Sequence, residues 1–495
     1  MTDSNSTFTP RKSSTTEHVL TLPNQQLRYR AIASWQTLYE REKPAAEMFH
    51  VAYLAESSEV RPLTVVVNGG PGAASAYLHM GAIGPQRIQF GEQGRLPKPP
   101  VRLTDNAESW LSFSDLVFID PIGTGFSRSV PTEKAAEKSG EKPEGDTDEP
   151  KEIKFWEVER DLNSIGEFIQ RFLSQHKRWL SPIFIAGESY GGFRVARLAR
   201  KLQQEFGVGL SGSILISPAL EFSLLAGSDY NVTTWATLLP SLAASAAHHD
   251  RATWAGQPGD LQAHLQAAEQ FAHKTLIPLL AIGAAYPEAD RQLAYEQLAG
   301  LIGLPLSVVK QQGGRISFET FARELLRDRQ RIVGLYDASI IGIDPFPDRP
   351  LYEGSDPTLD GLDRLFTGAI NSHLRDTLGV ETDLTYHLLN FEVFKAWKFD
   401  IKGDFKQGFV GAIDDLRVGM TLNPFMQVYI THGFFDLVTP YFSSNYLANL
   451  MKLDPEIRSN LTLKHYQGGH MFYAWDASRQ EWFGEMQKFY QGAIT

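Results

Sequence analysis

The sequence contains no cysteine, which excludes disulfide bonds and thiolate metal sites. It has no 18-residue apolar run that could cross a membrane, and segment 1–23 has no apolar stretch of the kind found in secretory signals. Basic residues number 47 against 58 acidic ones, without a basic cluster suited to a phosphate backbone. We therefore expect a cytoplasmic protein that binds neither nucleic acid nor membrane, although a trimmed secreted or periplasmic form would show the same pattern.

Apolar runs that indicate interior strands alternate with segments of helical spacing. VVV at 65–67, LVFID at 116–120 and SILISPA at 213–219 are the clearest of these runs. A block rich in Ala and Leu, from 220 to 385, is helical in period, and strand-like runs return after it. The pattern predicts an α/β core over 18–219 and 386–495, with a mostly parallel sheet flanked by helices, and an inserted helical cap over 220–385. Residues 131–154, almost without apolar side chains, are expected to form a flexible acidic surface loop.

The segment GESYG at 187–191 places Ser189 at a corner between a predicted strand and a predicted helix. A sharp turn of this kind lifts the serine hydroxyl above the sheet, and it requires residues without side chains on both flanks. Gly187 and Gly191 satisfy that requirement. Ser189 is therefore the candidate nucleophile.

A serine nucleophile needs a base and an orienting acid. His470 stands in a glycine-containing loop directly after the strand-like segment 461–466, whereas its rival His465 lies within that segment. For the acid, Asp436 follows the strand-like segment 427–431, and the alternatives lie in polar, loop-like stretches: Asp400, Asp404, Asp414 and Asp415. The chain order Ser189, Asp436, His470 is the order that α/β-hydrolases use.

A triad also requires two donors that stabilise the oxyanion. The backbone N–H of Tyr190 heads the predicted helix and is one candidate. The second is expected in the loop NGGPG at 68–72, which follows a predicted strand. Because the triad and backbone donors supply the chemistry, we expect no metal ion and no organic cofactor. The adjacent His248 and His249 would face different directions on a helix, which argues against a metal site there.

Several motifs together resemble the serine carboxypeptidases. They are NGGPG (68–72), GAIGP (81–85), DPIGTGFS (120–127), GESYGG (187–192), GFFDLVTPY (433–441) and GGHM (468–471). The motif GFFDLVTPY is most similar to the bacterial branch of the family. The resemblance implies an α/β-hydrolase fold and a hydrolase that uses Ser189, Asp436 and His470 to remove C-terminal residues from peptides. It also implies oxyanion donors at Gly70 and Tyr190, and a site for the substrate's free carboxylate made by Asn68, Gly69 and Glu188.

Because a glutamate can donate a hydrogen bond to a carboxylate only when protonated, this site implies an acidic optimum. Two positions depart from the family pattern. Val66 stands where the family usually has tryptophan, and Ala82 stands in the segment where it usually has a second glutamate that pairs with the first. An esterase or acyltransferase that uses the same triad remains an alternative, and the sequence determines neither the preferred terminal residue nor the oligomeric state.

Overall fold

The structure is a computed structural model that describes residues 8–130, 153–253, 260–349, 352–399 and 410–495. Its centre is a ten-stranded sheet in the order β1-β2-β3-β7-β4-β9-β10-β13-β14, with β8 paired to β3. The strands of this sheet are β1 (Ser14–Leu22), β2 (Gln25–Glu40), β3 (Lys43–Ala55), β4 (Leu63–Val67), β7 (Asp115–Ile119), β8 (Arg128–Ser129), β9 (Ile183–Glu188), β10 (Gly212–Ile216), β13 (Gln427–Gly433) and β14 (Leu461–Tyr466). Two small hairpins lie outside it, β5 (Gln86–Ile88) with β6 (Leu103–Asp105), and β11 (Arg331–Val333) with β12 (Ile341–Ile343).

The central sheet combines an antiparallel edge with a parallel interior. Strands β1, β2 and β3 pair antiparallel, and β3 pairs antiparallel with β7. From β7 onward each neighbouring pair is parallel, through β4, β9, β10, β13 and β14. Strands β4, β7, β9 and β10 are buried at every position, as expected for parallel strands covered on both faces. The predicted α/β-hydrolase class, with a mostly parallel sheet, is confirmed.

Helices cover both faces of the sheet and build the cap. The α-helices span Ala76–Leu78, Val158–Gln175, Tyr190–Glu205, Val232–His248, Leu261–Phe271, Ile277–Ile282, Glu288–Ile302, Leu306–Gln311, Phe318–Glu324, Leu359–Ser372, Phe391–Ala396, Ile413–Leu422, Tyr441–Leu450, Pro455–Arg458 and Asp476–Ile494. Helices Val158–Gln175, Tyr190–Glu205 and Ile413–Leu422 pack on one face. Helices Leu359–Ser372 and Asp476–Ile494 pack on the other. Within the described residues, no helix is both long and apolar enough to span a bilayer.

The helices between Val232 and Glu324 form a third apolar cluster, which also contains Phe435 and Leu437 from the loop after β13. Helix Leu359–Ser372, which falls inside the predicted cap, instead contributes Phe366 and Ile370 to the cluster on the sheet. The cap boundary at 385 therefore stays a prediction. The predicted acidic loop 131–154 lies, apart from its last two residues, outside the described residues.

Candidate active site

The candidate residues follow the carboxyl ends of four parallel strands. Asn68 follows β4, Ser189 follows β9, Asp436 lies in the loop after β13, and His470 lies in the loop after β14. Parallel strands end at the same edge of a sheet, where α/β proteins place their sites. Backbone and side-chain contacts connect these loops.

Ser189 occupies a strained corner between β9 and helix Tyr190–Glu205, with φ 61° and ψ −123°. Positive φ is uncommon for a residue other than glycine and is concentrated at functional sites. A Cβ on Gly187 would overlap the carbonyl oxygen of Gly191, and one on Gly191 would overlap the carbonyl oxygen of Val67. The glycine spacing read from the sequence is thus required by close backbone packing around the serine.

The ring of His470 is oriented by Asp436. Its Nδ1 lies 2.7 Å from Asp436 Oδ2, and both side chains are buried. Burial alone would lower the pKa of His470, but the charge of Asp436 and its hydrogen bond, together with the charge of Glu188, raise it above its ordinary value. The pair therefore favours an imidazole that accepts a proton, as a general base must.

The loop after β10 connects the serine corner to the histidine loop. The hydroxyl of Ser217 donates to the carbonyl oxygen of His470 at 2.8 Å, and the N–H of Ala219 donates to the carbonyl oxygen of Ser189 at 3.1 Å. The hydroxyl oxygen of Thr439, in the Asp436 loop, lies 3.0 Å from the Ser217 carbonyl oxygen. One short segment thus joins the loops that carry all three triad candidates.

The glycine loop after β4 rests directly on the start of the helix that follows Ser189. A Cβ on Gly69 would come 2.5 Å from the backbone nitrogen of Tyr190, so only glycine permits this approach. The N–H groups in the first turn of a helix have no partner within that helix. Tyr190 therefore brings an N–H donor next to the loop that contains Gly69 and Gly70.

Arg194 holds the same loop from one side. Its guanidinium donates to the carbonyl oxygens of Asn68 at 2.7 Å and Gly69 at 3.3 Å, and it is paired with Asp161 at 2.7 Å. The peptide bonds that follow these two carbonyls are trans. In a trans peptide the N–H points opposite to the C=O, so the N–H groups of Gly69 and Gly70 point away from Arg194. The buried ion pair thus fixes the direction of two backbone donors.

Glu188 is a buried carboxyl immediately before the candidate nucleophile, 3% exposed. Asn68 Nδ2 donates to its Oε2 at 2.5 Å, and the hydroxyl of Tyr473 donates to its Oε1 at 2.7 Å. Burial raises the pKa of Glu188 to about 7, against the opposing effects of His470 and of these two hydrogen bonds. Glu188 can therefore be protonated at a mildly acidic pH.

The rival residues lie elsewhere. His465 contacts Asn445 at 2.8 Å, and burial lowers its pKa to about 3. Asp415 forms ion pairs with two arginines of helix Tyr190–Glu205, Arg197 and Arg200, and Asp414 pairs with Arg417. Asp400 and Asp404 lie outside the described residues.

The rings of the adjacent His248 and His249 lie 5.0 Å apart and contact different neighbours. His249 Nε2 contacts the carbonyl oxygen of Ala338 at 2.6 Å, whereas the ring of His248 packs 5.0 Å from the ring of Phe435. In the part of the chain that the structure describes, no group of three His, Asp or Glu side chains could hold a metal ion.

Two contributors were missed by the reasoning from sequence. Arg194 belongs to none of the motifs, although its spacing of four from Tyr190 places it on the same helix face. Tyr473 is three residues after His470, in the same loop. Proximity in sequence was the available signal for Tyr473, but its contact with Glu188 depends on how distant segments pack.

Comparison with known proteins agrees with the motifs. The family model for serine carboxypeptidases matches residues 34–219. Serine carboxypeptidase-like 13 of Arabidopsis thaliana is 28% identical over 36% of this chain and 37% of its own length. Pheromone-processing carboxypeptidase kex1 of Schizosaccharomyces japonicus is 27% identical over 39% of this chain and 33% of its own. Among solved structures, a proline iminopeptidase of Mycobacterium smegmatis covers 93% of this chain at 13% identity, with a TM-score of 0.36.

The resemblance to the serine carboxypeptidases is thereby confirmed. The matched segments span about a third of the length of these plant and yeast relatives, 37% and 33%. Neither relative is bacterial, so the resemblance to a bacterial branch stays a prediction.

Proposed function

We propose that this chain, which matches the serine carboxypeptidases over residues 34–219, is a serine peptidase that removes C-terminal residues from peptides. The observation that carries the proposal is Glu188. A carboxyl that is buried, has a pKa raised to about 7, and directly precedes a strained serine is suited to meet another carboxylate beside the nucleophile.

In the proposed reaction the Ser189 hydroxyl attacks the carbonyl carbon of the last peptide bond while His470 Nε2 takes the serine proton. Asp436 stabilises the imidazolium that forms. The negative charge on the former carbonyl oxygen is stabilised by the N–H groups of Gly70 and Tyr190. His470 then protonates the departing amine, and the terminal residue leaves. In the second half of the reaction, His470 takes a proton from water, which attacks the carbonyl carbon of the acyl-enzyme. His470 returns that proton to Ser189 as the shortened peptide is released.

The proposed carboxylate site explains why cleavage would occur at the C-terminus. Asn68 and the N–H of Gly69 can donate to the substrate carboxylate, and protonated Glu188 adds a third donor. An ionised Glu188 would instead repel that carboxylate at close range. A peptide that lacks a terminal carboxylate would lose these interactions, which are charge-assisted and therefore strong.

The test compares two peptides of identical sequence, one with a free C-terminus and one amidated, at about pH 6.5, where Glu188 is still largely protonated. Loss of charge-assisted hydrogen bonds predicts that kcat/KM is about 10 to 100 times higher for the free acid. The Ser189→Ala variant is the control for background hydrolysis, and a fluorophosphonate probe should label the wild-type chain but not this variant. Equal cleavage of both peptides would overturn the carboxypeptidase proposal and leave an esterase, acyltransferase or endopeptidase.

The preferred terminal residue can be read by mass spectrometry after incubation with a mixed peptide library. A cytoplasmic location remains part of the proposal, and cell fractionation tests it.

A further inference from the structure

We propose that Tyr473 is a positioning residue that holds Glu188 through its hydroxyl and so determines the pH range over which a peptide with a free C-terminus binds. The inference rests on the proposed function, because it assigns Glu188 to the substrate carboxylate. It adds to that function a residue from the histidine loop, which the motif pattern does not include.

The hydrogen bonds of Asn68 determine which oxygen of Glu188 can carry a proton. Asn68 Oδ1 accepts from the N–H of Leu78 at 3.0 Å, which fixes the orientation of its amide. Its Nδ2 therefore faces Glu188 Oε2, and an amide nitrogen can donate but not accept. Oε2 must remain an acceptor, so the proton of neutral Glu188 resides on Oε1, the oxygen that faces Tyr473.

Tyr473 is held so that its hydroxyl stays at Oε1. The ring is fully buried, and its Cε2 lies close enough to Gly81 that a Cβ there would approach to 2.9 Å. The ring also stacks with that of Trp482 at a centroid distance of 6.1 Å. The hydroxyl of this held ring is the group that donates to Glu188 Oε1, at 2.7 Å.

The other groups that act on Glu188 come from three segments. His470 favours the ionised carboxyl, Asp436 disfavours it, and the phenol of Tyr77 lies near enough to feel its charge. Burial raises the pKa of both phenols well above the ordinary value, so Tyr77 and Tyr473 are neutral throughout the working range. Tyr473 therefore acts on Glu188 as a hydrogen-bond donor and not as a charge.

A donor at Oε1 stabilises the ionised carboxyl more than the neutral one. Removal of this hydroxyl should consequently raise the pKa of Glu188, and the pH above which substrate binding weakens should rise with it. A role in packing alone predicts no such shift, because the phenyl ring would remain in place in Tyr473→Phe.

The experiment measures the Kd of a peptide with a free C-terminus between pH 5 and 9, by calorimetry, in the inactive Ser189→Ala background. With Tyr473→Phe added, the pH at which Kd begins to rise should move up by about one unit, which corresponds to about tenfold tighter binding above that pH. Tyr77→Phe is the matched control, since it removes a neighbouring buried hydroxyl that donates to Asp363 at 2.5 Å. It should leave the profile in place.

Glu188→Gln should abolish the rise of Kd with pH, and addition of Tyr473→Phe to it should then produce no further change in the profile. An unchanged or downward-shifted profile in Tyr473→Phe, or an equal shift in Tyr77→Phe, would overturn the proposal. Thermal melting verifies that each variant is folded before titration.

Failure of the proposed function would give a different result. If free and amidated peptides bind equally at every pH, Glu188 does not contact a substrate carboxylate. The role of Tyr473 in substrate binding would then fail together with the proposed function. A ¹³C NMR titration of the Glu188 carboxyl in wild type and Tyr473→Phe still measures whether the Tyr473 hydroxyl controls the protonation of Glu188. An upward shift there with no carboxylate preference refutes the function but retains the pairing, and no shift refutes both.

Discussion

Asp337 Oδ2 accepts a 2.9 Å hydrogen bond from the backbone N–H of Gly469, the residue that precedes His470. The next N–H, that of His470 itself, donates to the carbonyl oxygen of Tyr336 at 2.5 Å. Two consecutive residues of the predicted cap thus hold two consecutive N–H groups of the histidine loop. A contact of this kind restricts where the imidazole can lie.

The same cap segment also holds the loop that carries Asp436. The N–H of Leu437 donates to the carbonyl oxygen of Leu335 at 3.1 Å, and the N–H of Ala338 donates to the carbonyl oxygen of Phe435 at 2.9 Å. Residues on both sides of Asp436 are therefore bound to Leu335–Ala338. We infer that this segment fixes the positions of Asp436 and His470 relative to each other.

Asp337→Ala should lower kcat by about 10 to 100 times with little change in KM, because a small displacement of a catalytic group is costly while the substrate contacts remain. Peptide hydrolysis measured over a range of substrate concentrations separates the two constants. Ser339→Ala is the matched control, since it removes a hydroxyl that donates to the other oxygen of Asp337 and leaves the contact with Gly469. A loss in KM alone, or an equal loss in the control, would contradict the inferred role.

Arg194→Met should lower both stability and kcat. The substitution leaves Asp161 buried without its partner, which costs about 3 to 5 kcal/mol of unfolding free energy, and it removes the donor that orients the peptide groups of Gly69 and Gly70. We expect kcat to fall about 100-fold or more, the size of effect seen when an oxyanion donor is lost. Chemical denaturation and steady-state kinetics measure the two effects.

The double variant Arg194→Met with Asp161→Leu separates these effects. Replacement of a buried ion pair by apolar side chains restores much of the lost stability. It cannot restore the guanidinium contacts with the carbonyl oxygens of Asn68 and Gly69, so kcat should stay low. Recovery of kcat together with stability would show that Arg194 acts on the fold alone.

The sequence predicted what depends on local pattern. The position of Ser189 followed from the spacing of Gly187 and Gly191, since the close packing that requires them is set by neighbouring residues. The strand-end positions of Asp436 and His470 followed from periodicity and from the rule that parallel strands place their carboxyl ends together. The class of the fold followed from the same alternation.

Contacts between distant segments could not be predicted in this way. Tyr473 meets Glu188 across 285 positions of the chain, and Arg194 pairs with Asp161 across 33. Arg194 also departs from the expectation that a basic residue on a helix is solvated, because its charge is neutralised inside the core. Neither pairing has a periodicity or a local motif that would indicate it.

The pH dependence of kcat/KM should be bell-shaped for a peptide with a free C-terminus. His470 must be neutral to act as a base, and its raised pKa predicts that activity falls as the pH decreases through a value above 6.5. Glu188 must be protonated to bind the carboxylate, and its pKa of about 7 predicts that KM rises as the pH increases beyond that value. The two limbs should therefore overlap in a narrow range near neutrality.

Glu188→Gln should change the alkaline limb alone. That limb should disappear, because glutamine keeps an N–H donor at every pH. The acid limb should stay close to its wild-type position, because the active form already has an uncharged Glu188 beside His470 and glutamine is uncharged as well. Initial rates between pH 4.5 and 9 measure both, and an alkaline limb that persists in this variant would assign it to another group.

Asp436→Asn should lower kcat by about 10⁴-fold while the chain stays folded. Asp436 Oδ1 accepts from the backbone N–H groups of Val438 at 2.9 Å and Thr439 at 3.0 Å, and Oδ2 accepts from His470 Nδ1 at 2.7 Å. An asparagine has one oxygen, and two peptide N–H groups require it, so the amide NH₂ would face His470. Nδ1 would then have to accept a hydrogen bond, the ring proton would move to Nε2, and Nε2 could no longer take the proton of Ser189.

Thr439→Val is the control for Asp436→Asn, because it removes a hydroxyl that donates to Asp436 Oδ2 at 2.6 Å. This variant keeps the acceptor for His470, so kcat should fall by less than about tenfold. Burst kinetics with an activated ester would locate the loss in formation of the acyl-enzyme. An Asp436→Asn chain with kcat within tenfold of wild type would remove Asp436 from the triad and return the choice to the aspartates of the polar segments.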